Sequence, residues 1–186
     1  MTTSTELFAA FNEEIDESQA VVDTRILIPE MTARCTVLSA EFSKPELRNW
    51  EGTQYYSSRL AVTFYVDEAE AREATGMDKP RLFHNVKINF TMDGKIDWNN
   101  NIDLINFFKI LGVKIFEGSG KTRKYIGKPS DWVLDAEGRS LTCKIVHEVT
   151  KAQNEVTGAW TEVKLDDEGN PVMKAVVKGI SPDTRG

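Results

Sequence analysis

The chain has 186 residues, 40% of them hydrophobic and 28% charged, with a formal net charge of -6. At about 100 to 200 residues per domain this length predicts one domain, and a fold of this size hides roughly 70% of its unfolded surface, so disordered and collagen-like chains are excluded. No window approaches the roughly 18 consecutive apolar residues of a membrane span, and the start MTTSTELFAA lacks a basic region followed by an apolar one, so a cytoplasmic protein without membrane contact is expected.

Residues 4–17 predict an amphipathic helix. Ser4 or Thr5 supplies the cap, Leu7, Phe8, Phe11 and Ile15 recur at three and four, and the other face is almost wholly acidic. Alternation predicts strands at 31–42 (MTARCTVLSAEF) and 55–66 (YYSSRLAVTFYV), joined by a long polar connection, SKPELRNWEGTQ, with Pro45 and Gly52 inside it. A short helix, DEAEAREAT, ends at Gly76, and Pro80 precedes a third strand at 81–92. After a tight turn, one of Asn99, Asn100 or Asn101 caps a helix that runs through Leu111 to Gly112. The segment VKIFEGSGKTRKYIGKPSDW reads as half strand and half glycine-rich basic loop. Strands follow at 141–149, 160–165 and 172–180, separated by turns at KAQNEVTG and DDEGNP.

This order does not alternate as βαβ units. It predicts a mainly β fold with inserted helices, a small β-barrel closest to the oligonucleotide-binding (OB) type, which has five strands and a helix between strands three and four. The ligand face of that barrel lies on strands two and three with the adjoining loops. The expected organisation is an acidic helical segment at 1–24, a single barrel domain at 25–180 and a polar tail at 181–186.

The residues that commonly carry chemistry are sparse. Cys35 and Cys143 sit in apolar runs outside any CxxC pair and read as buried free thiols. His84 and His147 are single residues in strands, so neither a zinc or iron site nor a Ser-His-Asp or Cys-His arrangement is expected. Asp93, Asp97 and Asp103 lack calcium-loop spacing and resemble a turn with a helix cap. Gly118-Ser119-Gly120-Lys121-Thr122 has the texture of a phosphate-binding loop, but GxxxxGK[ST] needs glycine where Ile115 stands and a helix directly afterwards. No enzyme and no cofactor are expected.

Charge is uneven along the chain. Residues 1–24 hold six acidic and no basic residues; residues 79–128 hold ten basic and four acidic ones, a balance of +6. That middle stretch interleaves its cations with Phe83, Phe90, Trp98, Phe107, Phe108, Phe116 and Tyr125. Such a mixture suits a single strand of nucleic acid, which offers phosphates and stackable bases, although at least half of these rings are expected in the core. Period two sorts the two middle strands directly. In 55–66 the core side is Ser58, Leu60, Val62, Phe64 and Val66, leaving Tyr55, Arg59 and Tyr65 outward; in 81–92 the outward side holds Arg81, Phe83 and Lys87. An outward face covered by the amino-terminal helix would also be aromatic. Trp50 in the preceding loop joins the candidates for stacking, and Lys121, Arg123, Lys124 and Lys128 form a candidate phosphate-contacting arm.

The polar lead-in and strand GTQYYSSRLAVTFYV, the strand RLFHNVKINF, the helix NNIDLINFFKILGV and the YIGK element before a final meander of strands resemble the phage-encoded single-stranded DNA-binding proteins of the OB-fold type. The resemblance covers roughly residues 28–180, in order and texture. It implies a non-catalytic accessory of replication or recombination that coats transient single strands of DNA in the host cell cytoplasm, beside replication or recombination proteins. Many such proteins end in an acidic tail, whereas this chain ends GISPDTRG and carries its acidic segment at the amino terminus. That segment is expected to dock on its own barrel or on a neighbour's, which makes a homo-oligomer an expected assembly. The competing reading is a β-rich structural or interaction protein, such as a virion component, whose aromatics form a subunit interface.

Overall fold

The structure, a computed structural model, describes residues 26–50, 52–118 and 124–185, with Trp50 defined by its place in a strand only. The helix expected at 4–17 lies outside the described residues. The described part is mainly β: strands β1 (Met31–Phe42), β2 (Glu46–Trp50), β3 (Thr53–Val66), β4 (Arg81–Asn89), β5 (Phe116–Glu117), β6 (Lys124–Tyr125), β7 (Ser140–Val149), β8 (Lys151–Ala152), β9 (Glu162–Val163) and β10 (Met173–Pro182). Helices α1 (Ala69–Thr75), α2 (Ile102–Ile110) and α3 (Pro129–Ala136) are inserted between them.

Six strands form one antiparallel sheet in the order β10-β7-β1-β3, with β2 and β4 also paired to β3. The long strand β3 organises the sheet. Its first half pairs with β2, its second half with β1, and its other edge with β4 from Ser57 to Tyr65. A bulge between Val37 and Ser39 keeps β1 in step with this partner. The extra residue, Leu38, shifts the inward positions from Val37 to Ala40, both buried.

The inward faces supply the core: Leu60, Val62, Phe64 and Val66 of β3, Leu82, Val86 and Ile88 of β4, and Leu141, Cys143 and Ile145 of β7. Leu104, Phe107 and Phe108 of α2 and Trp132, Val133 and Ala136 of α3 pack against them. Cys35 and Cys143 are free and buried among these residues. Their mutual hydrogen bond, together with burial, pushes the Cys143 thiol far above its ordinary range, which suits an inert core group.

Several local features differ from the sequence expectations. The polar connection before β3 contains β2, whose five residues pair with Thr53 to Ser57 in a tight hairpin. The end of the segment expected as a basic loop instead begins α3, with Pro129 in the first turn, where its missing N–H costs nothing. Asn101 is the N-cap of α2, but its buried side chain serves β4 rather than the helix. It accepts from the Asn89 N–H (2.8 Å) and donates to the Asn89 carbonyl (2.8 Å) and the Asp97 carbonyl (2.7 Å). A single amide thus completes the ladder where β4 ends, and β4 stops at Asn89 rather than at residue 92. At the other end of the chain β10 continues to Pro182, and Asp183 and Arg185 are held by Arg34 and Glu68, so the residues expected as a polar tail are docked.

Candidate nucleic-acid interface

The outward face of β3 and its neighbours can be read row by row from the pairing register. Tyr55 stands opposite Arg48; Ser57 lies between Glu46 and Asn89; Arg59 is directly opposite Lys87. Ala61 then lies between Glu41 and Asn85, Thr63 between Ser39 and Phe83, and Tyr65 between Thr36 and Arg81. At about 3.3 Å per residue, Tyr55 and Tyr65 are roughly 33 Å apart along the strand. On β3 the short side chains Ser57, Ala61 and Thr63 flank Arg59, which leaves a trough, and around Arg59 it holds a cavity of about 320 Å³ lined by Ser43, Glu46, Arg48, Ser57, Ser58, Arg59, Asn85 and Lys87.

Exposure agrees with the outward reading. Arg59, Arg81 and Lys87 are exposed, Phe83 is 69% exposed although it sits in mid-strand, and Tyr55 is 37% exposed. Among the described residues none of Arg59, Arg81 and Lys87 has an ion-pair partner, whereas Arg48 is held by Glu46 at 2.9 Å. Like charges directly opposite one another destabilise a pair of strands, so the facing of Arg59 and Lys87 is a cost to the fold. An anion lying between them removes that cost.

Tyr65 differs from the other two aromatics. Its hydroxyl donates to Asp67 Oδ1 at 2.7 Å, which raises the phenol and lowers the Asp67 carboxyl, with Arg72 Nη1 on the same oxygen at 3.2 Å. The Lys79 ammonium lies 5.9 Å from the centre of its ring. The half-buried ring therefore already has a cation on one face, and a stacked base there must displace it or use the remaining edge. Tyr56, on the inward side, lies along the turn at Gly94.

The basic arm is partly placed. Lys121 and Arg123 lie outside the described residues, as does the Trp50 side chain. Lys124 is exposed on β6, and Lys128 is exposed immediately before α3. The β5–β6 hairpin is anchored by aromatic contacts: Tyr125 lies 4.7 Å from both Trp98 and Phe116, and Trp132 is 5.5 Å from Trp98 and 5.7 Å from Phe108. Trp98 belongs to the 3-10 turn Trp98–Asn100, whose Asn100 carbonyl accepts from the Asn89 side chain at 2.8 Å. The hairpin is thereby tied to the Ser57–Asn89 end of the trough. This cluster also explains most of the rings interleaved with the middle cations. Phe107 and Phe108 are fully buried, Phe90, Trp98 and Phe116 are packed on the core, and Phe83 alone of that group stands free on the sheet.

Arg48 and Asn85 join the face although sequence reasoning did not select them. The signal for Asn85 was present, since it occupies the same alternation as Arg81, Phe83 and Lys87. Arg48 depended on recognising β2. Among the described residues no three His, Cys, Asp or Glu side chains gather in a metal-binding group, and no helix is long and apolar enough to cross a membrane. His84 lies on the inward side, where burial lowers its pKa. Comparison with known proteins returns no match: no family model, no curated protein and no solved structure matches the chain.

Proposed function

We propose that this chain binds single-stranded DNA with little regard to sequence, on the outward face of β3 and β4. The observation that carries this reading is the facing pair Arg59 and Lys87, without ion-pair partners among the described residues, between the exposed rings of Tyr55 and Phe83 on one trough. Cations along a trough neutralise phosphates and release counterions, and exposed rings stack on unpaired bases. The strand order β4-β3-β1-β7-β10, the approach of β10 to β4, and the position of α2 between β4 and β7 support a barrel of the OB type. In that fold strands two and three, here β3 and β4, carry the ligand. The role that fits is a non-catalytic accessory of phage replication or recombination, working in the cytoplasm on transient single strands. A titration of fluorescent oligonucleotides tests it. Single strands are expected to bind more tightly than duplex, with an affinity that falls as salt rises; equal affinity for duplex, or no binding at low salt, rejects the reading.

One observation favours the structural or interaction protein instead. Between β7 and β10 the chain makes an arm carrying the β8–β9 pair, and Val156 (93%), Trp160 (64%) and Leu165 (53%) are exposed on it. A two-stranded arm that buries so little is stabilised by a partner surface. Self-association of a full chain that fails to bind oligonucleotides, abolished by Trp160→Ser, is the outcome that selects this reading.

A further inference from the structure

The β8–β9 arm leaves the sheet after Val149 and rejoins it at Met173, its register partner. Its base is closed by the Thr150 N–H on the Val172 carbonyl (2.7 Å) and the Lys164 N–H on the Thr150 carbonyl (2.9 Å). Asn154 Oδ1 orders the tip, accepting from the Val156 N–H (3.0 Å) and the Thr157 N–H (2.7 Å). The arm is thus held in shape before any partner arrives, so less ordering opposes association. Every residue from 155 to 171 is nevertheless exposed, Val156, Trp160, Val163 and Leu165 among them. The arm is also acidic: residues 150–172 hold five acidic residues and two basic ones, a balance of -3. A groove of complementary character begins where the arm rejoins the sheet. Ile26, Met77, the start of β4 at Arg81 and Phe83, and the start of β10 at Met173 and Lys174 line it around a cavity of about 200 Å³. Ile26, Met77 and Phe83 are exposed there, and so are the cations Arg81 and Lys174. Lys174 stands opposite Glu148, but that carboxylate is held by Lys178 at 2.9 Å. No residue of the arm lines this groove, so the described residues of one copy leave both surfaces open.

We propose that the partner of the arm is a second copy of this chain: in a two-fold dimer the β8–β9 arm of each copy lies over the groove between β4 and β10 of the other. Val156, Trp160 and Leu165 then cover Ile26, Met77 and Phe83, and the carboxylates of the arm approach Arg81 and Lys174. Two observations select a second copy. The surfaces are complementary in charge and alike in apolar character, and they are continuous on one chain, since the arm ends at Met173, where the groove begins. A two-fold axis therefore forms both contacts at once and closes the assembly at two copies. Each arm need bury only about 600 Å² for the pair to reach the roughly 1,200 Å² of a stable interface. The exchange of arms stands on the arm and the groove alone and holds for a DNA-binding dimer as for a structural one.

The test uses the full chain in four forms: unchanged, Trp160→Ser on the arm, and Met77→Glu and Lys174→Glu in the groove, all at exposed positions. Sedimentation equilibrium without nucleic acid reads the mass from about 1 to 100 μM, where dimers of micromolar affinity form. The unchanged chain is expected to pass from 20.9 kDa to twice that mass. Trp160→Ser is expected to weaken the dimer about 30-fold, as loss of an interface tryptophan does, and each groove variant about 10-fold or more. An equimolar mixture of Trp160→Ser and Met77→Glu is expected to associate more tightly than either alone, because the mixed dimer keeps one contact between an intact arm and an intact groove. Amide hydrogen exchange at 26–28, 77–83 and 173–175 is expected to slow as the unchanged chain is concentrated. A monomer throughout overturns the proposal. A dimer weakened by Trp160→Ser and by neither groove variant is an arm-to-arm contact, and a mixture no tighter than its components has no exchanged arms; each overturns it. Groove protection independent of concentration assigns the groove to an occupant within one chain and overturns it too. A dimer that behaves as expected but binds no labelled 20-nucleotide oligothymidine leaves the exchange of arms in place and rejects the proposed function.

Discussion

The facing pair Arg59 and Lys87 offers the sharpest test of the interface. Replacing both by glutamine keeps the strand positions filled and polar while removing two of the cations that line the trough. On a single strand about 0.7 of a counterion is released per phosphate neutralised, so losing two contacts makes the log-log salt dependence shallower by about 1.4. With four to six contacts in the unchanged chain the slope is roughly -3 to -4, and the double variant is expected between about -1.5 and -3. The corresponding loss of affinity is about 25-fold at 0.1 M salt and about 5-fold at 0.3 M, and the two lines meet near 1 M. Stability is expected to move the other way, or not at all, because the variant relieves two like charges placed directly across the strands. The assay is fluorescence anisotropy with a labelled oligothymidine at five or more salt concentrations, beside a thermal melt. An unchanged slope with a normal melt refutes phosphate contact by these residues. A lowered Tm indicates instead that the pair supports the fold.

Phe83→Ala is expected to cost about 1 to 3 kcal/mol of single-strand affinity with no change in salt slope, and little stability, because the ring is 69% exposed; anisotropy and a melt on one sample separate the two effects. Tyr65→Phe removes the hydrogen bond that most lowers the Asp67 carboxyl. A carboxyl lowered in the folded state contributes stability that is present above its unfolded value near 3.8 and lost as pH falls through the folded one, so urea melts of the unchanged chain and the variant should differ above pH 4 and converge below it. Trp132→Ala empties a site that is 4% exposed and breaks the 2.7 Å bond to the Ile126 carbonyl. A loss of about 3 to 5 kcal/mol is expected in urea denaturation, and a loss under 1 kcal/mol shows that the aromatic cluster does not anchor the hairpin.

How far the sequence discloses this arrangement follows from the range over which each feature is encoded. The outward residues of β3 and β4 are local facts. Period two puts Tyr55, Arg59 and Tyr65 on one side of one strand and Arg81, Phe83 and Lys87 on one side of another, and the burial of Leu60, Val62 and Phe64 against Leu82, Val86 and Ile88 fixes the sign. Strand β2 was hidden because an edge strand needs no apolar face: Glu46, Arg48 and Asn49 read as loop, and only pairing with β3 makes them a strand. Helix α3 was hidden by its proline, whose effect reverses between a helix interior and a first turn. Asn101 carried a correct cap signal, but its amide found a better partner in the end of β4, twelve residues back in the chain.

The same distinction separates the trough from the groove beside it. The trough is a property of neighbouring strands in one hairpin-like pair, so a substitution in it should act on binding and leave the rest of the sheet alone. The groove is assembled from residues 26–28, 77–83 and 173–175, segments that alternation within any one strand cannot bring together. Phe83 and Arg81 belong to both. Phe83→Ala therefore opens the groove as well as the trough, whereas Lys87→Gln alters the trough alone. Amide hydrogen exchange at 26–28 and 173–175 is expected to quicken in Phe83→Ala and to stay unchanged in Lys87→Gln, and equal exchange in the two variants refutes the sharing of Phe83 between trough and groove.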